Sequence, residues 1–221
     1  MTDETFDVTG KRMIFCTVLV LQVTGLCSAH ITTAGDAVTL PCGLVKEDVV
    51  PDCGGFNWTH DQTSLVEFGQ NVAPDTHRNR VSLTEICSLT LTEVRVEDVG
   101  LYFCKTSNEK GWSSSAVHLA VVTITEQTVS DQVTLTCSVF TFSDCRYSVR
   151  WVSPPGVDKD TGLHSERAGF RCWATATWAT RHLTSREKQS WRCSVASKDL
   201  RELFESEIKR WPGERTEVTT E

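Results

Sequence analysis

Ten cysteines, Cys16, Cys27, Cys42, Cys53, Cys87, Cys104, Cys137, Cys145, Cys172 and Cys193, are the residues of this 221-residue sequence best equipped for chemistry. A thiolate can ligate a metal, attack an electrophile or close a disulfide. No C-x-x-C pair of the zinc or thioredoxin type is present, so metal and redox-enzyme roles lose their usual spacing. The six histidines, His30, His60, His77, His118, His164 and His182, are scattered along the chain. They accompany no G-x-S-x-G, H-E-x-x-H or glycine-rich phosphate-cradling pattern. Catalysis, cofactors and metals are therefore not expected, and surface positions are the expectation for the histidines. Disulfide formation remains as the chemistry, which places the chain in an oxidising compartment.

Export fits that compartment. Lys11-Arg12 precede an apolar run over 13–23, and the small residues Cys27-Ser28-Ala29 suit cleavage before His30, so 1–29 is expected to be a signal peptide. The run is too short to span a bilayer comfortably. Asp3, Glu4 and Asp7 are atypical of a leader and leave Met13 as an alternative start. Cleavage after Ala29 removes Cys16 and Cys27 and leaves an even number of cysteines, able to pair completely. Residues 211–221 turn polar and threonine-rich, as a membrane-proximal stalk would, with no apolar stretch of about 20 residues among them. The expected location is extracellular: secreted, or on the external side of the plasma membrane if an anchor lies beyond Glu221. The formal net charge of −7 argues against a nucleic-acid partner, which calls for a basic face.

Two segments repeat one plan: Cys42, Cys53, Trp58, Cys87, Cys104, then Cys137, Cys145, Trp151, Cys172, Cys193. Alternating apolar residues mark strands in both. Val38, Leu40 and Cys42 share a face, as do Phe56 with Trp58, Cys87 with Leu89 and Leu91, Tyr102 with Cys104, and Val117 with Leu119 and Val121. In the second segment the inward sets are Val133, Leu135 and Cys137; Val149 and Trp151; Cys172, Ala174 and Ala176; and Trp191, Cys193 and Val195. The fold class is thus all-β, with two tandem sandwiches expected over 30–122 and 123–210 and no long linker between them. The second is less regular. No Asp-x-Gly precedes Cys193, and Trp191 stands where the first segment has Tyr102. Leu200, Leu203, Phe204 and Ile208 are spaced like a helix face, but a sandwich needs an edge strand there.

The Cys, Trp, Cys triplet with Tyr102 two residues before Cys104 resembles the immunoglobulin superfamily over 36–195, the first domain being variable-like. The strings Cys87-Ser88-Leu89-Thr90-Leu91, Glu97-Asp98-Val99-Gly100-Leu101-Tyr102-Phe103-Cys104 and Val133-Thr134-Leu135-Thr136-Cys137-Ser138-Val139 are similar to bony-fish diverse immunoglobulin domain-containing proteins. Those are two-domain innate immune receptors, cell-surface or secreted, some of which bind lipid. More distantly, the strings resemble the T-cell coreceptor that engages class II histocompatibility proteins. The resemblance implies core bridges Cys42–Cys104 and Cys137–Cys193, each with a tryptophan, Trp58 or Trp151, packed on its sulfurs. It further suggests Cys53–Cys87 and Cys145–Cys172, although four cysteines allow three connectivities per domain. Arg80 of Arg80-Val81-Ser82-Leu83 carries over as the partner of Asp98, and Tyr102 as the corner residue bonding back to the backbone. The Phe-Gly-x-Gly of antibody-type pairing is missing after Cys104.

Binding is expected on loops held by the rigid sandwich. Residues 43–55 carry Lys46, Glu47 and Asp48 between two cysteines, where a bridge at Cys53 would reduce the entropy lost on engagement. The hairpin at 105–112 carries Asn108, Glu109 and Lys110 and ends on Trp112, a residue type that anchors interfaces; packing of Trp112 within its own sheet is the competing expectation. Asn57-Trp58-Thr59 is a glycosylation sequon whose Asn57 should face outward. The expected partner is a cell-surface protein or a lipid. A coreceptor or adhesion role toward class II histocompatibility-type proteins is the alternative, and a secreted hydrolase the weakest reading.

Overall fold

The computed structural model of the chain describes residues 27–45, 52–108, 111–153, 162–179, 191–197 and 203–207. Nearly all of the expected signal peptide, the candidates Lys46, Glu47, Asp48, Glu109 and Lys110, and the tail at 211–221 lie outside the described residues.

The described chain is mostly strand. The first strands are β1 (Cys27–Thr33), β2 (Val38–Leu40), β3 (Phe56–His60), β4 (Thr63–Glu67) and β5 (Gln70–Asn71). A single helical turn α1 (Asp75–Arg78) precedes β6 (Val81–Leu83), β7 (Leu89–Leu91), β8 (Gly100–Asn108) and the long β9 (Gly111–Val129). Then come β10 (Gln132–Phe140), β11 (Tyr147–Val152), β12 (Gly162–Ala168), β13 (Arg171–Ala179), β14 (Arg192–Ser197) and β15 (Leu203–Glu207). The chain divides into two compact units between Ala120 and Val121. β9 serves both, pairing with β8 through Leu119 and with β10 from Val121 onward.

In the first unit, β5-β4-β3-β8-β9 form one sheet, with β1 also on β9, and β2-β7-β6 form the other. The extra strands β4 and β5 beside β3 are what distinguish a variable-type sandwich from a constant-type one. Alternation puts Leu40, Trp58, Leu89, Leu91, Tyr102, Val117 and Leu119 inside, each at most 1% exposed. Cys42 is bonded to Cys104 across this core. The Trp58 indole N–H donates to the carbonyl of Cys87, so burying this large ring leaves no polar atom unsatisfied. Cys87 itself lies just before β7 in a left-handed conformation rather than on the strand.

At the bottom corner, the Tyr102 hydroxyl donates to the carbonyl of Asp98, 2.8 Å away, while Arg80 makes two bonds to the Asp98 carboxylate. Burial opposes ionisation of Asp98, but the bonds from Arg80 and from the Arg95 N–H outweigh it and hold the carboxyl below its ordinary range. The bond to Asp98 raises the Arg80 guanidinium, and burial pushes the Tyr102 phenol up. His60 corrects one expectation. It is buried, not on the surface, and its ring stacks on Tyr102 at 4.3 Å. It ends β3 on the inward face, and the absence of a side chain at Gly100 leaves room for it: a Cβ there would come within 2.2 Å of His60 Nε2.

In the second unit, the later part of β9 joins β10, β13 and β12 in one sheet, and β11, β14 and β15 form the other. Among the described residues this gives four strands facing three, the allotment of a constant-type sandwich. Cys137–Cys193 bridges its core and Cys145–Cys172 adds a second link. Trp151, Trp178 and Trp191 cluster, Trp191 stacking on Trp178 at 5.6 Å. Trp151 donates to the carbonyl of Ala174, but the indole nitrogens of Trp178 and Trp191 find no partner among the described residues. Among the described residues, the tyrosine-type corner bond of the first unit thus has no counterpart at Trp191. β15 pairs with β14, Phe204 opposite Val195, because hydrogen-bonding demand at the sheet edge overrides its helix-like spacing.

Candidate functional site: a disulfide-clamped tip on the first unit

The turn at Cys53–Gly55 organises one end of the first unit. Asp52 caps it, its carboxylate accepting from the Gly54 N–H at 3.0 Å. Three pieces of chain converge on this turn. Cys53 is bonded to Cys87, which fixes the connection between β6 and β7. The carbonyl of Phe56 accepts from the Gly69 N–H at 3.0 Å, which docks the turn between β4 and β5. Phe56 pairs with Thr106 of β8, and Gly55 faces the Thr106 hydroxyl, so the base of the 105–112 hairpin is fixed to the same place.

Glycine is required at position 69 for two reasons. Its φ is +75°, and a Cβ would lie 2.7 Å from the carbonyl oxygen of Cys53. The neighbouring Phe68 N–H donates to Asn57 Oδ1 at 2.7 Å, which sets Phe68 in a left-handed conformation with its ring in solvent. Phe68 is 67% exposed, Ile86 in the β6–β7 connection 53%, and Trp112 at the start of β9 64%. Three large apolar side chains are thus exposed, two on turns and one at the start of β9, each on a segment held to the Cys53–Gly55 turn, where it could meet a partner with little ordering cost.

Of the expected binding residues, Trp112 is placed in full: it pairs with Ser107 and projects outward rather than packing within the sheet. Asn108 is described only in its backbone, opposite Gly111, whose φ of +116° closes the hairpin. Lys105 is exposed on the same face as Asn57 and approaches the Phe103 ring at 6.0 Å. Asn57 is half-buried, its carbonyl oxygen engaged by Phe68. Phe68 and Ile86 were not expected from the sequence. The available signals were Phe68-Gly69, an apolar residue before a turn glycine, and Ile86 beside Cys87, but neither shows which other turns stand next to it.

Among the described residues, no helix is long and apolar enough to cross a membrane. Four disulfides among them are consistent with folding in an oxidising, extracytoplasmic compartment.

The immunoglobulin V-set domain family matches residues 31–122. No curated protein is detectably similar in sequence. Among solved structures, bovine butyrophilin is 18% identical with a TM-score of 0.39, over 81% of this chain and 94% of that one. The full ectodomain (Ig1–Ig3) of mouse nectin-like molecule 4 is 15% identical with a TM-score of 0.39, over 81% of this chain and 65% of that one. The V-set match coincides with the unit that carries the β4 and β5 strands, the Cys42–Cys104 bridge and the Tyr102 corner. Residues 31–122 are thus an immunoglobulin V-set domain.

Proposed function

We propose that the chain is a non-catalytic extracellular recognition protein, a receptor or adhesion molecule, that engages a cell-surface protein through the tip of its V-set domain. The observation that carries this reading is the exposure of Phe68, Ile86 and Trp112 on segments held to the Cys53–Gly55 turn by a backbone hydrogen bond, a disulfide and strand pairing respectively. Large apolar residues held rigidly in solvent contribute little to folding but gain free energy when a partner covers them. The likeness of the quoted strings to bony-fish two-domain innate receptors agrees with such a role and is part of the proposal, as are the domain limits 30–122 and 123–210. A lipid ligand or a class II histocompatibility-type partner are narrower versions of the same reading.

The test uses the full chain, made multivalent and applied to arrays of purified extracellular proteins and to intact cells. Phe68→Ala, Ile86→Ala and Trp112→Ala are expected each to weaken binding tenfold or more while melting temperature stays unchanged. Undiminished binding by the triple variant would move the site elsewhere.

A further inference from the structure

His60 is the buried titratable group that the binding surface does not use, and its surroundings are unusual. It sits at the end of β3, 7% exposed, with its ring parallel to Tyr102 at 4.3 Å and edge-on to His77 at 6.1 Å. Neither His60 Nε2 nor His77 Nε2 makes a hydrogen bond within the described residues. Carboxylate oxygens do lie near them, Asp61 Oδ2 at 3.4 Å from His60 and Asp98 Oδ1 at 3.1 Å from His77, but too poorly aligned to bond. His60 Nε2 lies on the side of Gly100 where a side chain would stand: a Cβ there would come 2.2 Å from it.

We propose that His60 is an acid-operated latch: neutral, it clips the β3–β4 turn onto the Tyr102 corner, and on gaining a proton in mildly acidic solution it releases that turn.

Each neighbouring element contributes to this behaviour. From the β3–β4 turn, Asp61 attracts a cation at His60, but it is half exposed and therefore screened. From the segment before β8 come Asp98 and the carbonyl of Val99, both of which favour the cation. Asp98 is already committed, however, to Arg80 and in contact with His77. From the α1–β6 segment, His77 disfavours the cation at His60, and the guanidinium of Arg80 is held by Asp98. From β8, Tyr102 offers its ring face, with its hydroxyl turned away to Asp98. Burial outweighs the attractive contributions and pushes the imidazole below its ordinary range.

The sign follows from linkage. The open or unfolded form, with an ordinary pKa near 6.5, binds the proton more tightly than the closed form. The closed form is therefore undisturbed above that value and loses stability as pH falls below it, until the lowered pKa of the closed form is reached. The turn to be released is itself strained: Asp61 and Gln62, between His60 and its partner Thr63, have φ of +45° and +71° without being glycine.

The test is hydrogen exchange on the full chain, followed in peptides covering 57–66 at pH 7.0 and 5.5 and corrected for the intrinsic pH dependence of exchange. Linkage to one proton predicts an opening constant that rises by up to about tenfold per pH unit below 6.5. The rise should be confined to this segment and abolished in His60→Phe, which keeps a ring on Tyr102 but cannot titrate. An equal rise in His60→Phe, or a rise spread evenly over all strands, overturns the latch. A direct titration of the His60 ring by NMR in the wild-type chain decides the matter even if the variant fails to fold: a midpoint below that of an ordinary histidine supports the proposal, and one at or above it refutes it.

Discussion

Arg80 and Asp98 are joined by two parallel hydrogen bonds, Nη1 to Oδ2 at 2.7 Å and Nη2 to Oδ1 at 2.9 Å, in positions 7% and 1% exposed. Removing one partner leaves the other buried and unpaired, so Asp98→Ala or Arg80→Ala should cost about 3–5 kcal/mol in chemical denaturation. Arg80→Lys should also destabilise, since a point charge cannot reproduce the fork.

The same pair sets an acid limit separate from that of His60. The Asp98 carboxyl is depressed in the folded state, so its contribution is fully present above its unfolded value of about 3.8 and is lost as pH falls through the folded one. Stability against pH should therefore decline in two stages, the lower of which disappears in Asp98→Asn. A wild-type profile with no loss below pH 4 would show that the bond is not formed in solution.

Gly100→Ala should destabilise the V-set domain by about 1–3 kcal/mol, the usual range for an overpacked core. The added carbon would collide with His60. Because one contact is responsible, the cost should shrink in a His60→Ala background, and a double-mutant cycle should give a clear coupling energy.

Gly69→Ala meets backbone rather than a movable side chain and also needs a left-handed conformation. Melting should report a loss of about 1–3 kcal/mol, and partner binding should fall with it, because the turn that carries Phe68 must shift.

Asn57→Ala removes the acceptor of the Phe68 N–H. A loss of about 1 kcal/mol is expected, with faster proteolysis at the β4–β5 turn than in the parent. Asn57→Asp keeps an oxygen in place and should restore most of it.

Some of the fold could be read residue by residue. Leu89 and Leu91, or Val133, Leu135 and Cys137, announce an inward face by alternation alone, because side-chain direction in a strand depends on position parity and not on distant chain. β15 was harder. Leu203 and Phe204 are spaced ambiguously, and only the unpaired edge of β14 makes them a strand. At the tip, Trp112 could be nominated by residue type, but its competing role as a packed strand residue could be rejected only by its observed exposure.

The sequence by itself determined the strand faces, the repeated cysteine and tryptophan landmarks and the Asp-x-Gly-x-Tyr-x-Cys corner, all of which are local patterns with a fixed chemical meaning. Only the tertiary structure decided that Phe68, Ile86 and Trp112 are exposed on segments held to the Cys53–Gly55 turn, and that His60 is buried against Gly100. The physical reason is common to both. Exposure and protonation depend on which remote backbone closes over a side chain, and Gly100 lies 40 residues beyond His60 in a sequence that carries no sign of their contact.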